Sequence, residues 1–449
     1  MTTTTTGARR FAPALLLTLG LGLVLGLSAC DLTVDDPNAT TDEDAAGTRD
    51  GLRALAAGLQ RQYNAAAYGA LVTTTGITSR ELAADNTFAN LLELDAGGAG
   101  LDPSNANLTG YFREMYQTIS TAQTLIDGAQ ATDSIEDELE SGLVALGEFY
   151  KAAAIGALAL GFTDVALDVS QDPDSPATYV SGDAAFAEAA RLLASAEDRL
   201  TGTPPNAAFN AIVPDGFDLL NSIRAYRARY ELFAGNLGAA LAAATRVDLE
   251  ATSVFAYSGE VPNPLYRAIS PDLGQPSFAV RDDLGLEDAE DGDGRIAYFT
   301  EPNDDTSVNG FPIETATGFI VGGDAGSLPV YVPDEIRLIR AEVLLRQGDP
   351  DGAIALIDQV RTDTEDPFGL AAGLDPYDGP TSEQAVLDEL FYNRSTELFL
   401  QGLRLADARR LNQGAPDASD AFQRSRNFYP FPRQERLANP DTTPADPSI

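Results

Sequence analysis

The chain has 449 residues, with 68 Asp and Glu against 29 Lys and Arg, no His, no Trp and one Cys, for a formal net charge of −39 at pH 7. Such a charge repels phosphate backbones and anionic lipid surfaces, so nucleic acid is excluded as a partner. Without His or a second Cys, Ser-His and Cys-His nucleophilic catalysis, the usual zinc sites and intramolecular disulfides are excluded as well.

In chain order, Arg9 and Arg10 precede an apolar run from Phe11 to Leu27, broken by Gly20, Gly22 and Gly26. Small residues, Ser28 and Ala29, then stand before Cys30. This is the layout of an export signal, and the run is short for a membrane span. The junction resembles the bacterial lipobox, L-[AS]-[AG]-C, which implies removal of residues 1–29 and lipidation of the Cys30 thiol. The lone cysteine is thereby explained, since a thioether to lipid has no substitute among other side chains. Each buried acyl CH₂ contributes about 0.8 kcal/mol, so several acyl chains anchor firmly. Residues 30–48, acidic and carrying Pro37, read as the lipidated N-terminus and a tether. Acids are spread along the whole chain, which fits adaptation to high salt better than a dedicated ligand site.

Helical periodicity begins near Arg49 and predicts a mostly α fold built on tetratricopeptide-like helical hairpins, with a loop-rich irregular second half. One domain over 49–449 is expected: a helical-repeat scaffold at about 49–249 and 334–412, a loop-rich insertion at about 250–333, and a tail over 413–449. The insertion is rich in Pro, Gly and Asp but also carries Phe255, Tyr266, Phe278, Phe299 and Phe319, which argues against disorder. An internal repeat supports the scaffold. "RAYRARYELFAGNLGAALAAA" from Arg224 aligns without a gap with "RLIRAEVLLRQGDPDGAIALI" from Arg337. In each, Gly235 or Gly348 suits a left-handed helix end, and Asn236 or Asp349 can cap the helix that follows.

Several segments together resemble the SusD/RagB family of nutrient-binding outer-membrane lipoproteins. "ALGEFYKAAAIGALALGFTDVAL" (Ala145–Leu167) is similar to that family's G-E-A-x-F-L-R-A-x-x-Y-F-x-L-V-x-x-F-G-D-V-P-L segment. "IRLIRAEVLLRQGDPDGAIALIDQVR" (Ile336–Arg361), "LDELFYNRSTELFLQGLRLADARRL" (Leu387–Leu411) and "FYPFPRQERLANP" (Phe428–Pro440) resemble its hairpin, its last long helix and its closing segment. Departures are Lys151 for Arg, Ala166 for Pro, Gln401 for an acid, and the absence of Trp. The resemblance implies a non-catalytic, lipid-anchored protein on the outside of the outer membrane. Its expected role is to bind an oligosaccharide or peptide and deliver it to a TonB-dependent SusC-like β-barrel transporter.

Three constellations could carry chemistry. Arg394, Glu397, Arg404, Asp407 and Arg410 read as a charged ladder on one long helix, with Arg394–Glu397 and Arg404–Asp407 at i,i+3 spacing. Its expected role is a structural ion network. The acidic run Asp288 to Gly294 reads as a solvated loop, with Ca²⁺ as the alternative; it departs from the EF-hand pattern, and no cofactor or metal ligand is assigned. Binding needs aromatic faces and planar hydrogen-bonding groups. Two loops supply them, "TTTGITSRELAADNTF" (Thr73–Phe88) and "YFTEPNDDTSVNGFPI" (Tyr298–Ile313). The candidate ligand contacts are Arg80, Asn86, Phe88, Tyr298, Asn303, Asn309 and Phe311, the competing expectation being that the aromatics fill the loops' own small core. Two rival functions remain at this point: a helical-repeat envelope scaffold, and a lipid-anchored glycoside hydrolase with two carboxylates about 5–9.5 Å apart.

Overall fold

Amphipathic segments with capping residues at their starts become paired helices in the computed structural model, which describes residues 46–169, 175–274, 276–302, 307–308 and 310–449. Cys30 and its flanks, Asn303 and Asn309 lie outside the described residues. Helix α1 (Arg49–Arg61) starts at Thr48, whose hydroxyl accepts from Gly51 N, and continues through a π-helical segment, Gln62–Ala67, into α2 (Tyr68–Thr78). There follow α3 (Ala89–Ala96), α4 (Ala106–Ala131), α5 (Asp137–Gly161), α6 (Gly182–Gly202), α7 (Leu219–Phe233) and α8 (Leu237–Ala244). Short helices α9 (Pro264–Ile269) and α10 (Gly294–Phe299) belong to the loop-rich part. The chain returns to long helices with α11 (Pro333–Arg346), α12 (Pro350–Arg361), α13 (Glu383–Glu397) and α14 (Arg404–Arg410), and ends near α15 (Arg433–Ala438).

The helices pack in series, α4 on α5, α5 on α6, and so on through α7, α8, α11, α12 and α13. Helix α5 is the centre. It is long and apolar enough to cross a membrane by composition, yet its apolar stretch is wholly buried among its neighbours. Gly156 permits that close packing: a Cβ there would lie 2.1 Å from Cζ of Tyr230 on α7. The two repeat hairpins, α7–α8 and α11–α12, are neighbours in space although the insertion separates them in sequence. Arg229 on α7 clamps Glu335 on α11 with two hydrogen bonds of 2.6 Å, both side chains being buried. Gly235 and Gly348 adopt φ of 79° and 84°, the left-handed helix ends expected. Asp349 caps α12 by accepting from Gly352 N at 2.9 Å. Asn236 does not cap α8; its amide donates instead to Glu231 at 2.9 Å.

The charged ladder needs correction. The helix ends at Glu397, and Leu400 (φ 59°) and Gly402 (φ 75°) turn the chain before α14 begins. Arg394 therefore reaches forward to Asp407 at 2.9 Å, and Asp407 also accepts from Arg410. Arg404 does not pair with Asp407 but donates to the carbonyls of Leu284 and Ser395.

Strands are short. β1 (Leu82–Ala84) follows α2; β2 (Asp164–Ala166) pairs with β3 (Tyr179–Ser181). β4 (Val254–Phe255) lies where the insertion leaves the array. Within the insertion come β5 (Phe278–Arg281), β6 (Thr300–Glu301), β7 (Ser307–Val308) and β8 (Phe311–Ala316). β9 (Leu328–Pro329) pairs back on β4, so the insertion departs and returns side by side. Its buried rings, Phe255, Phe278, Phe299 and Phe319, join the main core.

Candidate ligand-binding surface

The first loop and the insertion meet in one antiparallel sheet, ordered β1-β5-β8-β6, with β7 on β8. Leu82 pairs with Val280 and Val280 with Glu314, and Asp85 N donates to Ser277 O at 3.0 Å. The sequence thus picked out two segments that the fold joins. Phe88, just before α3, is 61% exposed, and Asn86 is half-buried in the turn between β1 and that helix. Phe311 lies half-buried on β8, its ring 3.9 Å from the guanidinium carbon of Arg281. Arg281 in turn donates to Asp95 Oδ1 at 3.0 Å, the same carboxylate oxygen that lies 3.6 Å from Arg80.

Arg80 departs from its expected role. It is buried, in the left-handed region (φ 73°), and donates to the carbonyls of Gln423, Asp95 and Ala418 at 2.9–3.0 Å. It binds backbone and presents no donor to solvent, because the irregular chain around it has carbonyls that no helix or strand satisfies. Tyr298 follows the competing expectation: its ring packs edge-on against Phe299 and Phe319 at 5.0 and 5.5 Å, and burial raises its hydroxyl to about 12.

A cleft of about 560 Å³ opens beside this region. Its walls are Ser79 at the end of α2, the loop from Gly285 to Glu290, one face of α13, and the tail around Phe422 to Arg424. Rings line it: Tyr377, Phe391, Tyr392 and Phe422, the last 43% exposed. So do the amides of Gln413 and Gln423 and the exposed carboxylates of Glu287, Asp288 and Asp388. Both arginines in the wall are engaged elsewhere. Arg404 serves Leu284 and Ser395, and Arg424 donates to the carbonyls of Gln413 and Gly414. The cleft therefore offers aromatic faces and hydrogen-bond acceptors, and its acid-rich rim repels anionic ligands.

The inward acids of the Asp288–Gly294 run are paired with arginine. Asp293 takes a two-pronged bond from Arg295 at 2.9 and 2.7 Å, and Glu290 one from Arg361 at 2.5 and 2.7 Å. Glu389 also holds Arg361 at 2.5 Å. Burial raises the Glu389 carboxyl above its ordinary value despite Arg361. Tyr377, Tyr392, Phe422 and Asp388 escaped the sequence reading. The available signal was an aromatic, Phe422, set in an otherwise polar run, "DASDAFQRS".

No family model and no curated protein matches this chain in sequence. Solved structures do match in three dimensions. A SusD superfamily protein from Bacteroides thetaiotaomicron VPI-5482 superposes with a TM-score of 0.67 at 16% identity, covering 89% of this chain and 99% of its own. The chain has the SusD fold. Surface glycan-binding protein A from Bacteroides thetaiotaomicron, solved in complex with laminarihexaose, shares that SusD fold with a TM-score of 0.67, 15% identity and coverage of 89% and 99%. NanU of B. fragilis does so with a TM-score of 0.64, 13% identity and coverage of 92% and 99%.

Proposed function

We propose that the protein is a surface glycan-binding lipoprotein that captures a neutral oligosaccharide and passes it, unaltered, to a TonB-dependent SusC-like β-barrel. The observation that carries this reading is the cleft: rings and acceptor groups converge there on a SusD-fold scaffold, without a free cation. Sugar hydroxyls donate to carboxylates and amides while apolar sugar faces stack on rings. Support for the sugar as ligand comes from the neighbour solved with laminarihexaose. Attachment through Cys30 is supported by the lipobox-like junction, and display outside the outer membrane by the resemblance to the SusD/RagB family. Phe88, Asn86 and Phe311 belong to the same reading as contacts at the loop sheet beside the cleft.

A glycosidase reading has one observation in its favour. Glu290 and Glu389 each place an oxygen 2.5 Å from the same Arg361 nitrogen, so the two are at most about 5 Å apart, near the spacing of retaining enzymes. Arg361, however, occupies the space between them that a sugar would need, and that favours capture over hydrolysis. The test is titration calorimetry of the protein with a panel of neutral and acidic oligosaccharides, with product analysis of the same mixtures. Saturable binding of a neutral glycan that is recovered intact is expected. Phe422→Ala should weaken it by about fivefold, the value of one lost stacking contact of about 1 kcal/mol. Cleaved product, or binding confined to acidic glycans, would overturn the reading.

A further inference from the structure

Away from the cleft, three carboxylates converge in the interior. Asp334 lies in the first turn of α11, Asp366 in the loop after α12, and Glu397 at the last residue of α13. One oxygen of each lies within 4.8 Å of the other two. Glu397 is fully buried, and neither of its oxygens accepts a hydrogen bond. Asp334 is 1% exposed, and its Oδ2 also lacks a donor, as does Oδ2 of Asp366. The remaining oxygens are occupied: Asp334 Oδ1 by Arg337, and Asp366 Oδ1 by the amides of Phe368 and Leu370. Each acid thus keeps one donor-free face, and Glu397 keeps both oxygens.

Leaving buried carboxylate oxygens unpaired is costly, because desolvation is uncompensated. The nearby cations compensate it only in part. Arg295 is held two-pronged by Asp293, and its Nη1 stops 3.6 Å from Glu397, beyond hydrogen-bond distance. Arg337 serves Asp334 alone among the three. With Asp293 and Asp363 nearby, the carboxylates around this cluster outnumber its two guanidiniums, Arg295 and Arg337, which leaves a local excess of negative charge.

We propose that Asp334, Asp366 and Glu397 form a structural site for one hard divalent cation, Ca²⁺ by its chemistry, which ties α11, the loop after α12 and the end of α13 together. An all-oxygen donor set selects calcium-type ions over zinc or copper, and Ca²⁺ accepts both one- and two-oxygen binding by carboxylates. The site is separate from the surface run at Asp288 to Gly294, whose inward acids are already matched by arginine. It holds three segments that no disulfide can join in a chain with one cysteine.

The full-length protein, stripped with chelator and then dialysed, is titrated with CaCl₂ by calorimetry, assayed for bound metal, and melted with and without EDTA. One Ca²⁺ per chain and a melting temperature several degrees lower in EDTA are expected. Glu397→Gln should abolish the bound ion. Asp366→Asn, which keeps one oxygen for the amides of Phe368 and Leu370, should weaken Ca²⁺ by at least about tenfold while the circular dichroism stays native. Asp288→Asn should leave both stoichiometry and affinity unchanged. Without a cation, burial pushes Glu397 well above its ordinary value and Asp334 up to about 6. A protein that binds no Ca²⁺ at millimolar concentration and melts alike with and without EDTA overturns the proposal. So does an ion that survives Asp366→Asn and is lost on Asp288→Asn.

Discussion

The helical array and the irregular half use arginine differently. In the array arginines meet carboxylates across helices: Arg229 with Glu335, Arg224 and Arg227 with Glu197, Arg410 with Glu342, and Arg394 with Asp407. In the irregular half they meet backbone carbonyls: Arg80 with Gln423, Asp95 and Ala418; Arg281 with Leu82 and Ala421; Arg424 with Gln413 and Gly414; Arg426 with Phe428 and Gly98. Helices satisfy their own carbonyls, so a buried guanidinium between them needs an acid. Irregular chain leaves carbonyls pointing inward, and the five donors of one arginine can answer two or three at once. This gives a physical reason for a chain whose basic residues are all arginine except Lys151. A lysine, as a point charge on a flexible stem, does neither job as well. Exceptions include Arg404 and Arg409 of α14, which donate to carbonyls, and Arg267, Arg281, Arg295 and Arg436, which pair with Asp324, Asp95, Asp293 and Asp446 in the irregular half.

The largest effect belongs to the array. Arg229→Ala strands Glu335, which is fully buried, and should destabilise by about 3–5 kcal/mol in urea unfolding. Because the same clamp joins α7 to α11, the loss should appear as lower global stability, with the midpoint falling for every probe. The double change Arg229→Met, Glu335→Leu should recover most of it, since an apolar pair leaves no buried charge unmatched. Failure of the double variant to recover would mean that the clamp matters for register more than for charge.

A lysine at each kind of site separates the two uses. Arg229→Lys keeps an ion pair with Glu335 and should cost about 1 kcal/mol. Arg80→Lys cannot span the carbonyls of Gln423, Asp95 and Ala418 and should cost about 2–3 kcal/mol. Hydrogen exchange should then place the loss in β1, the Ala418–Gln423 tail and the sheet they support, with the array unchanged. Equal costs for the two lysines, or loss of protection in α7 and α11 on Arg80→Lys, would break the comparison.

This contrast also marks what could be read from the residues alone. The hairpins were legible because their signals are local: Gly235 and Gly348 at helix ends, Asp349 at a start, and apolar stripes between. Asn236 looked equally fit to cap, but Glu231 lies where its amide can reach, and a side-chain bond won over the backbone one. The contact of α8 with α11 was hidden because the partners are separated by the whole insertion. The supposed ladder failed because Leu400 and Gly402 break the helix, a turn whose cost only the surrounding packing offsets. Among site residues, Phe88 and Phe311 announced themselves by type. Arg80 did too, and misled, since a guanidinium that serves backbone and one that serves a ligand look identical in sequence. The cleft gathers a helix face, a loop and the tail, and no periodicity links those three.

The smallest expected effect tests an exception. Arg267 grips Asp324 with bonds of 2.6 and 2.5 Å, a carboxylate pair within the irregular half, but the two side chains are 49% and 32% exposed. Water and salt screen such a pair, so Arg267→Ala should cost no more than about 0.5–1 kcal/mol, and less still in molar salt. Arg80→Lys should keep its full cost in that salt, because the carbonyls it abandons are buried and their loss is a matter of unmet hydrogen bonds, on which ionic strength has little hold. Urea midpoints of the two variants at low and high NaCl decide the matter. If both costs shrink in parallel, arginine in the loops is acting as a charge among the surrounding acids, and the carbonyl account of the irregular half is wrong.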